Sequence, residues 1–203
     1  MTRPAPLRIG LLGGTFDPPH VGHLAIANTV ASALSLDEVI FVVANDPWQK
    51  TGERDVTPAA ARLEMTRALV DGYEKVSVDD REIRRGGPTY TVDTLNELHQ
   101  ENLNAEIFLI VGADTASRIH TWHRYEEVLA LSTLVVVNRT DANSTLAPEL
   151  VGAHVQSVPM PAVDVSSTQI RDAVAHGASI EGMTTPGVAR VIAVHGLYAE
   201  VTA

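Results

Sequence analysis

The chain has 203 residues, 45% of them hydrophobic, and carries 15 basic against 25 acidic side chains for a formal net charge of −10. That length suits one α/β domain with a sizeable core, or at most two small ones, and the acidic balance argues against nonspecific binding to nucleic acid or anionic lipid. No cysteine occurs, which excludes disulfides, thiol catalysis and thiolate metal sites; no h-region with a cleavage site and no bilayer-length apolar run is present, so a cytoplasmic protein without a membrane role is expected.

The first element is an apolar run, Leu7 to Leu12, that reads as a buried strand. It leads into Gly-Gly-Thr-Phe-Asp-Pro-Pro-His-Val-Gly-His, Gly13 to His23, and then into a segment with Val21, Leu24, Ala27, Val30, Ala31 and Leu34 at helical spacing. Strand, glycine-rich turn and helix start thus follow one another. In an open α/β sheet such a turn lies at the carboxyl end of a strand, where ligands bind, and a helix start offers unpaired N–H groups to phosphate. His20 and His23 are three apart, which puts both imidazoles on one helix face. Gly22 between them has no Cβ to block a ligand, and Gly13 and Gly14 let the turn backbone approach a phosphate chain. Two such donors can stabilise charge on a phosphoryl group in transfer. The glycines do not fit the dinucleotide fingerprint G-x-G-x-x-G.

Glu38 to Val43 reads as a second buried strand, completing a βαβ unit and implying a parallel sheet. The loop from Ala44 to Val56 is long and polar, and carries Asn45, Pro47, Trp48, Gln49 and Lys50. Trp48 either stacks on a base or folds back on the core; Lys50 is a candidate phosphate partner. Thr57 is expected as a helix N-cap with Pro58 at the first helical position, and that helix continues to Val70. Lys75 to Val78 is a short strand. After Gly86-Gly87-Pro88 a helix begins near Thr89 to Thr91 and runs to about Glu101, with one of those threonines as its cap.

Glu106 to Val111 is the strongest strand and delivers Gly112-Ala113-Asp114 at its carboxyl end. Asp114 either accepts from ribose hydroxyls or caps the next helix. His120 and His123 form a second His-x-x-His pair, but a metal site lacks a third ligand there. Tyr125 to Leu131 reads as a short helix and Ser132 to Asn138 as a strand that brings Arg139 to the same edge, where it could pair with a phosphate or a base. Thr140 to Pro148 reads as a polar surface loop, and Val155 to Val158 as the last strand. Val165-Ser166-Ser167-Thr168-Gln169-Ile170-Arg171 opens a helix. Its hydroxyls, N–H groups and Arg171, four residues after Ser167, suit a diphosphate. Thr185-Pro186 to His195-Gly196 is a capped helix that ends on glycine.

Gly13 to His23 resembles the first signature of the nucleotidyltransferase superfamily with the His-x-Gly-His motif, in the form of the bacterial nicotinate-nucleotide adenylyltransferases. Val165 to Arg171 resembles that family's Ile-Ser-Ser-Thr-x-Ile-Arg signature, with Val165 in place of Ile. Pro88 to Leu95 is similar to Pro-Ser-Tyr-Thr-x-Asp-Thr-Leu, and Gly112-Ala113-Asp114 with Trp122 to Gly-x-Asp…Trp. His195-Gly196-Leu197-Tyr198 resembles the family's usual close, read as structural. The resemblance covers nearly the whole chain and implies a single domain over 1–203, a doubly wound Rossmann-like and mostly parallel sheet, and a small helical part from about 166. It implies adenylyl transfer from ATP to nicotinate mononucleotide, giving deamido-NAD and pyrophosphate, with Mg²⁺ held mainly by the ATP phosphates and by no protein metal site. In that reading His20, His23 and Arg171 are catalytic, and Gly13, Gly14, Thr15, Phe16, Gly22, Gly112, Asp114, Ser167 and Thr168 hold ATP. Asn45, Lys50, Thr89, Trp122, His123 and Arg139 face the mononucleotide. Thr89 would contact the pyridine carboxylate, Trp122 wall its pocket and His123 offer a main-chain contact. The alternatives are another phosphate acceptor, nicotinamide mononucleotide or phosphopantetheine, or a Rossmann-like nucleotide binder that is no transferase. A homo-oligomer stays open.

Overall fold

A computed structural model of the chain describes residues 5–47, 56–139, 150 and 152–199. Six strands form one sheet in the order β3-β2-β1-β4-β5-β6. They are β1 Arg8–Gly14, β2 Glu38–Val43, β3 Val76–Asp79, β4 Glu106–Gly112, β5 Thr133–Arg139 and β6 Val155–Met160. The registers of β1 with β4, β4 with β5 and β5 with β6 are parallel. The helices are α1 Val21–Ala33, α2 Ala59–Val70, α3 Arg81–Arg85, α4 Thr91–Glu101, α5 Ala113–Ala116, α6 Tyr125–Leu131, α7 Ser167–Ala175 and α8 Pro186–Val194. This is the expected doubly wound α/β fold.

The central strands carry continuous apolar runs because a parallel sheet is covered on both faces. Ile107 to Val111 of β4 are all buried, and so are Val39 to Val43 of β2. The chain winds outward from β1 to β3 and then returns to β4 on the other side of β1. In such sheets ligands bind beyond the carboxyl ends of the strands where the winding reverses. Gly13 near the end of β1 and Gly112 at the end of β4 stand at that place in the topology.

Contacts group the residues into two compact units, Met1–Gly13, Ile26–Ile40 and Tyr90–Ala162 in the first, Gly14–Ala25, Phe41–Thr89 and Val163–Ala203 in the second. In the first, the core is the apolar run of β4 and β5 with Leu95 and Leu98 of α4 and Val128 of α6 against it. In the second, α2 and α8 supply the apolar faces. Met65 and Leu69 of α2 and Val188 and Ile192 of α8 are buried, each such side chain worth roughly 1.5–3 kcal/mol out of water. Helix α8 starts as expected, with the Thr185 hydroxyl accepting from the Val188 N–H and Pro186 at its first position.

Three local expectations change. Helix α2 begins one residue late, with Pro58 at its N-cap and no side-chain cap; Thr57 is occupied elsewhere, its carbonyl accepting from Arg62. Neither Thr89 nor Thr91 caps α4. Tyr90 is the N-cap, and the Thr89 hydroxyl instead accepts from the Asn45 N–H at 3.1 Å. Asp114 does not cap α5 either, since Gly112 holds the N-cap position. Helix α3 and a short 3-10 turn at Ile119–Thr121 carry no clear apolar period and were not anticipated. Trp48, Gln49, Lys50 and the loop read at Thr140 to Pro148 lie outside the described residues.

Candidate active site

The turn between β1 and α1 belongs to the second unit, and its shape begins at Phe16. That residue has φ 51°, the left-handed region a bulky side chain rarely adopts. The strain aims its ring inward, where it is 3% exposed and lies 5.4 Å from the Phe41 ring. A Cβ on Gly14 would sit 2.8 Å from the Phe16 ring, so this glycine makes room for Phe16 rather than for a ligand. Gly13, by contrast, is exposed, and among the described residues nothing lies within 4 Å of a Cβ position there.

The two histidine rings lie side by side, but not on one helix face, since His20 precedes α1 and only His23 is in its first turn. Their ring centroids are 3.8 Å apart, and the Phe16 ring meets His23 edge-on at 5.0 Å. The His20 N–H donates to His23 Nδ1 at 3.1 Å. An accepting Nδ1 leaves the ring proton on Nε2, so His23 presents an N–H donor from its far side. His20 is governed by burial, which lowers its pKa to about 4, so its imidazole is neutral near pH 7. Its Nδ1 is buried without a hydrogen-bond partner among the described residues. A Cβ on Gly22 would fall 2.9 Å from that nitrogen and 3.3 Å from Val165. Gly22 therefore seats the His20 ring, and the open approach the sequence suggested for it goes to a side chain.

The second signature folds onto this turn. Ser166 caps α7, accepting from the Gln169 N–H at 3.2 Å. Ser167 Oγ then donates to the Pro18 carbonyl at 2.8 Å, and Arg171 Nη1 to the Asp17 carbonyl at 2.8 Å. Arg171 Nη2 reaches Thr168 Oγ1 at 3.1 Å. The next carbonyl, Pro19, accepts from Thr184 Oγ1 at 3.0 Å, and the Val21 N–H donates to the Met183 carbonyl at 3.1 Å. Three consecutive turn carbonyls are thus held by three side chains from the C-terminal part. Asp17, 2% exposed, accepts on one carboxylate oxygen from the Tyr198 hydroxyl at 2.6 Å and on the other from the Thr57 N–H at 3.4 Å. Burial first, and then this bond, raise the Tyr198 pKa well above its usual value, so Tyr198 stays a protonated donor.

Asn45 and Thr89 are joined in the same unit. Besides the bond from the Asn45 N–H to Thr89, Asn45 Nδ2 donates to the Gly87 carbonyl at 3.0 Å, and the Thr89 N–H to the Asp46 carbonyl at 3.3 Å. Thr15, 8% exposed, takes part through its carbonyl, which accepts from Arg62 Nη1 at 2.8 Å. Lys50 lies outside the described residues.

The first unit holds the other candidates. Gly112 ends β4, Asp114 lies in α5 just after it, and both are exposed. Trp122 closes the 3-10 turn, its N–H donating to the Ile119 carbonyl at 2.9 Å, and is half-buried. His123 is exposed, with its ring 4.4 Å from the Tyr90 ring. Arg139 is the last residue of β5. Among the described residues no group of three or more His, Cys, Asp or Glu side chains could hold a metal ion.

Arg62, Asp17, Thr184 and Tyr198 were not singled out from the sequence as site residues. Arg62 had a legible signal, a cation on the same helical stripe as Met65, Thr66 and Leu69, all buried. Asp17 and Tyr198 lie inside the motifs Gly13 to His23 and His195 to Tyr198, but their bond to one another spans 181 residues, and Thr184 reaches a backbone carbonyl 165 residues away, so neither contact is legible from residue identity.

A doubly wound parallel sheet with a histidine-bearing turn defines the class, and the family model described as cytidylyltransferase-like matches residues 11–173. A protein of Corynebacterium kroppenstedtii named "probable nicotinate-nucleotide adenylyltransferase" is 43% identical over 194 residues, covering 94% of this chain and 90% of its own. One of the same name from Leifsonia xyli is 41% identical and covers 96% and 95%. The chain belongs to the cytidylyltransferase-like family and, within it, to the nicotinate-nucleotide adenylyltransferases. The fold is shared with the nicotinic acid mononucleotide adenylyltransferase of Plasmodium falciparum complexed with NaAD, at TM-score 0.76 and 17% identity over 94% of this chain and 97% of that one.

Proposed function

We infer that this chain transfers the adenylyl group of ATP to nicotinate mononucleotide, forming deamido-NAD and pyrophosphate for NAD synthesis. The observation that carries the reading is the meeting of two distant signatures on one turn. His20 ends the turn just before the helix and His23 lies in that helix's first turn, and Ser167 and Arg171 are bonded to the carbonyls of Pro18 and Asp17 within the turn.

The reaction needs alignment more than acid–base chemistry. A phosphate oxygen of the mononucleotide attacks the α-phosphorus of ATP in line, one P–O bond forms, and the bond to the β-phosphate oxygen breaks. No covalent enzyme intermediate is required. His23 and neutral His20 act as N–H donors to the α- and β-phosphates, where charge accumulates. Ser167, Thr168 and Arg171 hold the outgoing diphosphate, and Gly13, Thr15 and Phe16 form the turn beneath the nucleotides, with Gly14 and Gly22 shaping it. Gly112 and Asp114 meet the ATP ribose. Asn45, Lys50, Thr89, Trp122, His123 and Arg139 receive the mononucleotide, with Thr89 and Trp122 setting the pyridine preference. Mg²⁺ enters as part of the substrate, on the ATP phosphate oxygens. Both substrates are small anions, and with a net charge of −10 nucleic acid is not a partner. We place the enzyme in the cytoplasm.

The test is pyrophosphate release from ATP with nicotinate mononucleotide, nicotinamide mononucleotide and phosphopantetheine in turn. Release with the first at a kcat/KM at least tenfold above the others is expected. Tight ATP binding with no release from any acceptor would overturn the transferase reading.

A further inference from the structure

Arg62 stands on the buried face of α2 and is 1% exposed, the largest fully buried side chain among the described residues. A buried guanidinium has to satisfy several N–H donors in a fixed planar fork, and three of the Arg62 donors go to main-chain carbonyls from separate segments. Nε donates to Thr57 at 2.7 Å, Nη1 to Thr15 at 2.8 Å and Nη2 to Asn45 at 2.9 Å. The Thr15 carbonyl is the link that joins Thr15 to Phe16, whose strained φ sets the ring supporting His23. Asn45 is gripped through its carbonyl by Arg62 and through its own N–H grips the hydroxyl of Thr89. Thr57 is held on both sides as well, by Arg62 at its carbonyl and by Asp17 at its N–H.

We propose that Arg62 is a positioning residue that couples the histidine turn to the acceptor-side pair Asn45–Thr89. Its fork sets the distance between Thr15 and Asn45, so placement of the histidines and placement of the mononucleotide contact are fixed by one side chain. The proposal rests on the adenylyl-transfer reading for what the two ends do, while the coupling itself is a property of this chain. A lysine keeps the charge but puts it on a single flexible ammonium, which cannot reproduce three donors at fixed angles. A one-ångström misplacement is enough to lower turnover about a hundredfold.

The experiment compares Arg62→Lys and Arg62→Gln with wild type, at a temperature where circular dichroism reports folded protein. At least a tenfold fall in kcat and a fivefold or larger rise in KM for nicotinate mononucleotide are expected, with KM for ATP within twofold. Adding Thr89→Ala to Arg62→Lys should raise the mononucleotide KM by clearly less than the product of the single effects. Amide hydrogen exchange should show the Asn45 N–H losing tenfold or more of its protection in Arg62→Lys, while β4 amides hold theirs. A folded Arg62→Lys with wild-type kcat and KM, or multiplicative effects, or an unchanged Asn45 amide, would overturn the coupling. Should neither variant accumulate as folded protein, wild type answers. Adding nicotinate mononucleotide should shift the Arg62 Nε–H resonance, and an unmoved signal under saturating ligand overturns the proposal. Wild-type pyrophosphate release, measured alongside, decides the reaction independently, since the exchange readout needs no turnover.

Discussion

At the residue scale the histidine pair shows how one motif yields two different groups. His23 has its Nδ1 engaged by the His20 backbone, so its donor is directional and its ring is braced by Phe16. Replacing His23 with Ala removes a donor aimed at developing charge, and kcat should fall about a hundredfold or more. Thermal melting should barely change, since one half-buried ring is lost; near-normal turnover would refute the assignment. His20 differs because burial lowers its pKa from 6.5 to about 4. Below pH 6.5 the unfolded chain takes up a proton that the folded chain refuses until about pH 4. Stability must therefore fall with acidity across that window, by at most about 3 kcal/mol before solvent screening reduces it. Melting curves from pH 7 to pH 4.5 should show a smaller decline in His20→Gln than in wild type. Equal declines would mean that the imidazole is not the group responsible.

At the element scale the sequence showed which segments are strands and helices but not what most of their ends do. Strand cores such as Ile107 to Val111 are legible because burial on both faces demands continuous apolar residues. The signatures at Gly13 to His23 and Val165 to Arg171 were legible as separate motifs, each with its own local logic. What could not be read is that Ser167 and Arg171 spend hydrogen bonds on the turn carbonyls, because backbone acceptors leave no trace in residue identity. The same holds for Thr89, where a threonine near a helix start reads as a cap and turns out to accept from Asn45. Tyr198 is the clearest case. The segment after α8 looked merely structural, yet its hydroxyl donates to a buried carboxylate inside the first motif. A charge-assisted bond of this kind is worth roughly 1.5–3 kcal/mol. Tyr198→Phe should lower stability to urea by about that amount and reduce kcat as the turn loosens. A Tyr198→Phe enzyme with wild-type denaturation and turnover would show that the C-terminal segment does not support the site. Because the Tyr198 pKa is raised on folding, the stabilisation is present in full below pH ~10 and is lost only as pH climbs beyond it.

At the scale of the whole molecule, each compact unit is assembled from separated stretches of chain. Three of the five divisions fall inside β1, α1 and β2, so neither unit can be cut out as a continuous piece. The second unit depends on the last forty or so residues for its order around the turn. Without residues 163–203 the carbonyls of Asp17, Pro18 and Pro19 lose their side-chain donors, and the Asp17 carboxylate loses the Tyr198 hydroxyl. Each buried group left unsatisfied costs about 1–3 kcal/mol, and the apolar face of α2 loses Val188, Val191 and Ile192 as well. Against a typical net stability of only about 5–15 kcal/mol, those losses are decisive for this unit. A chain ending at Ala162 should therefore fail to protect the amides of residues 14–25 and 59–70 from hydrogen exchange and should not bind ATP. Protection retained around His20 and His23 in the shortened chain would show that the turn holds its shape without the C-terminal donors, and the shared-turn basis of the proposed site would then fail.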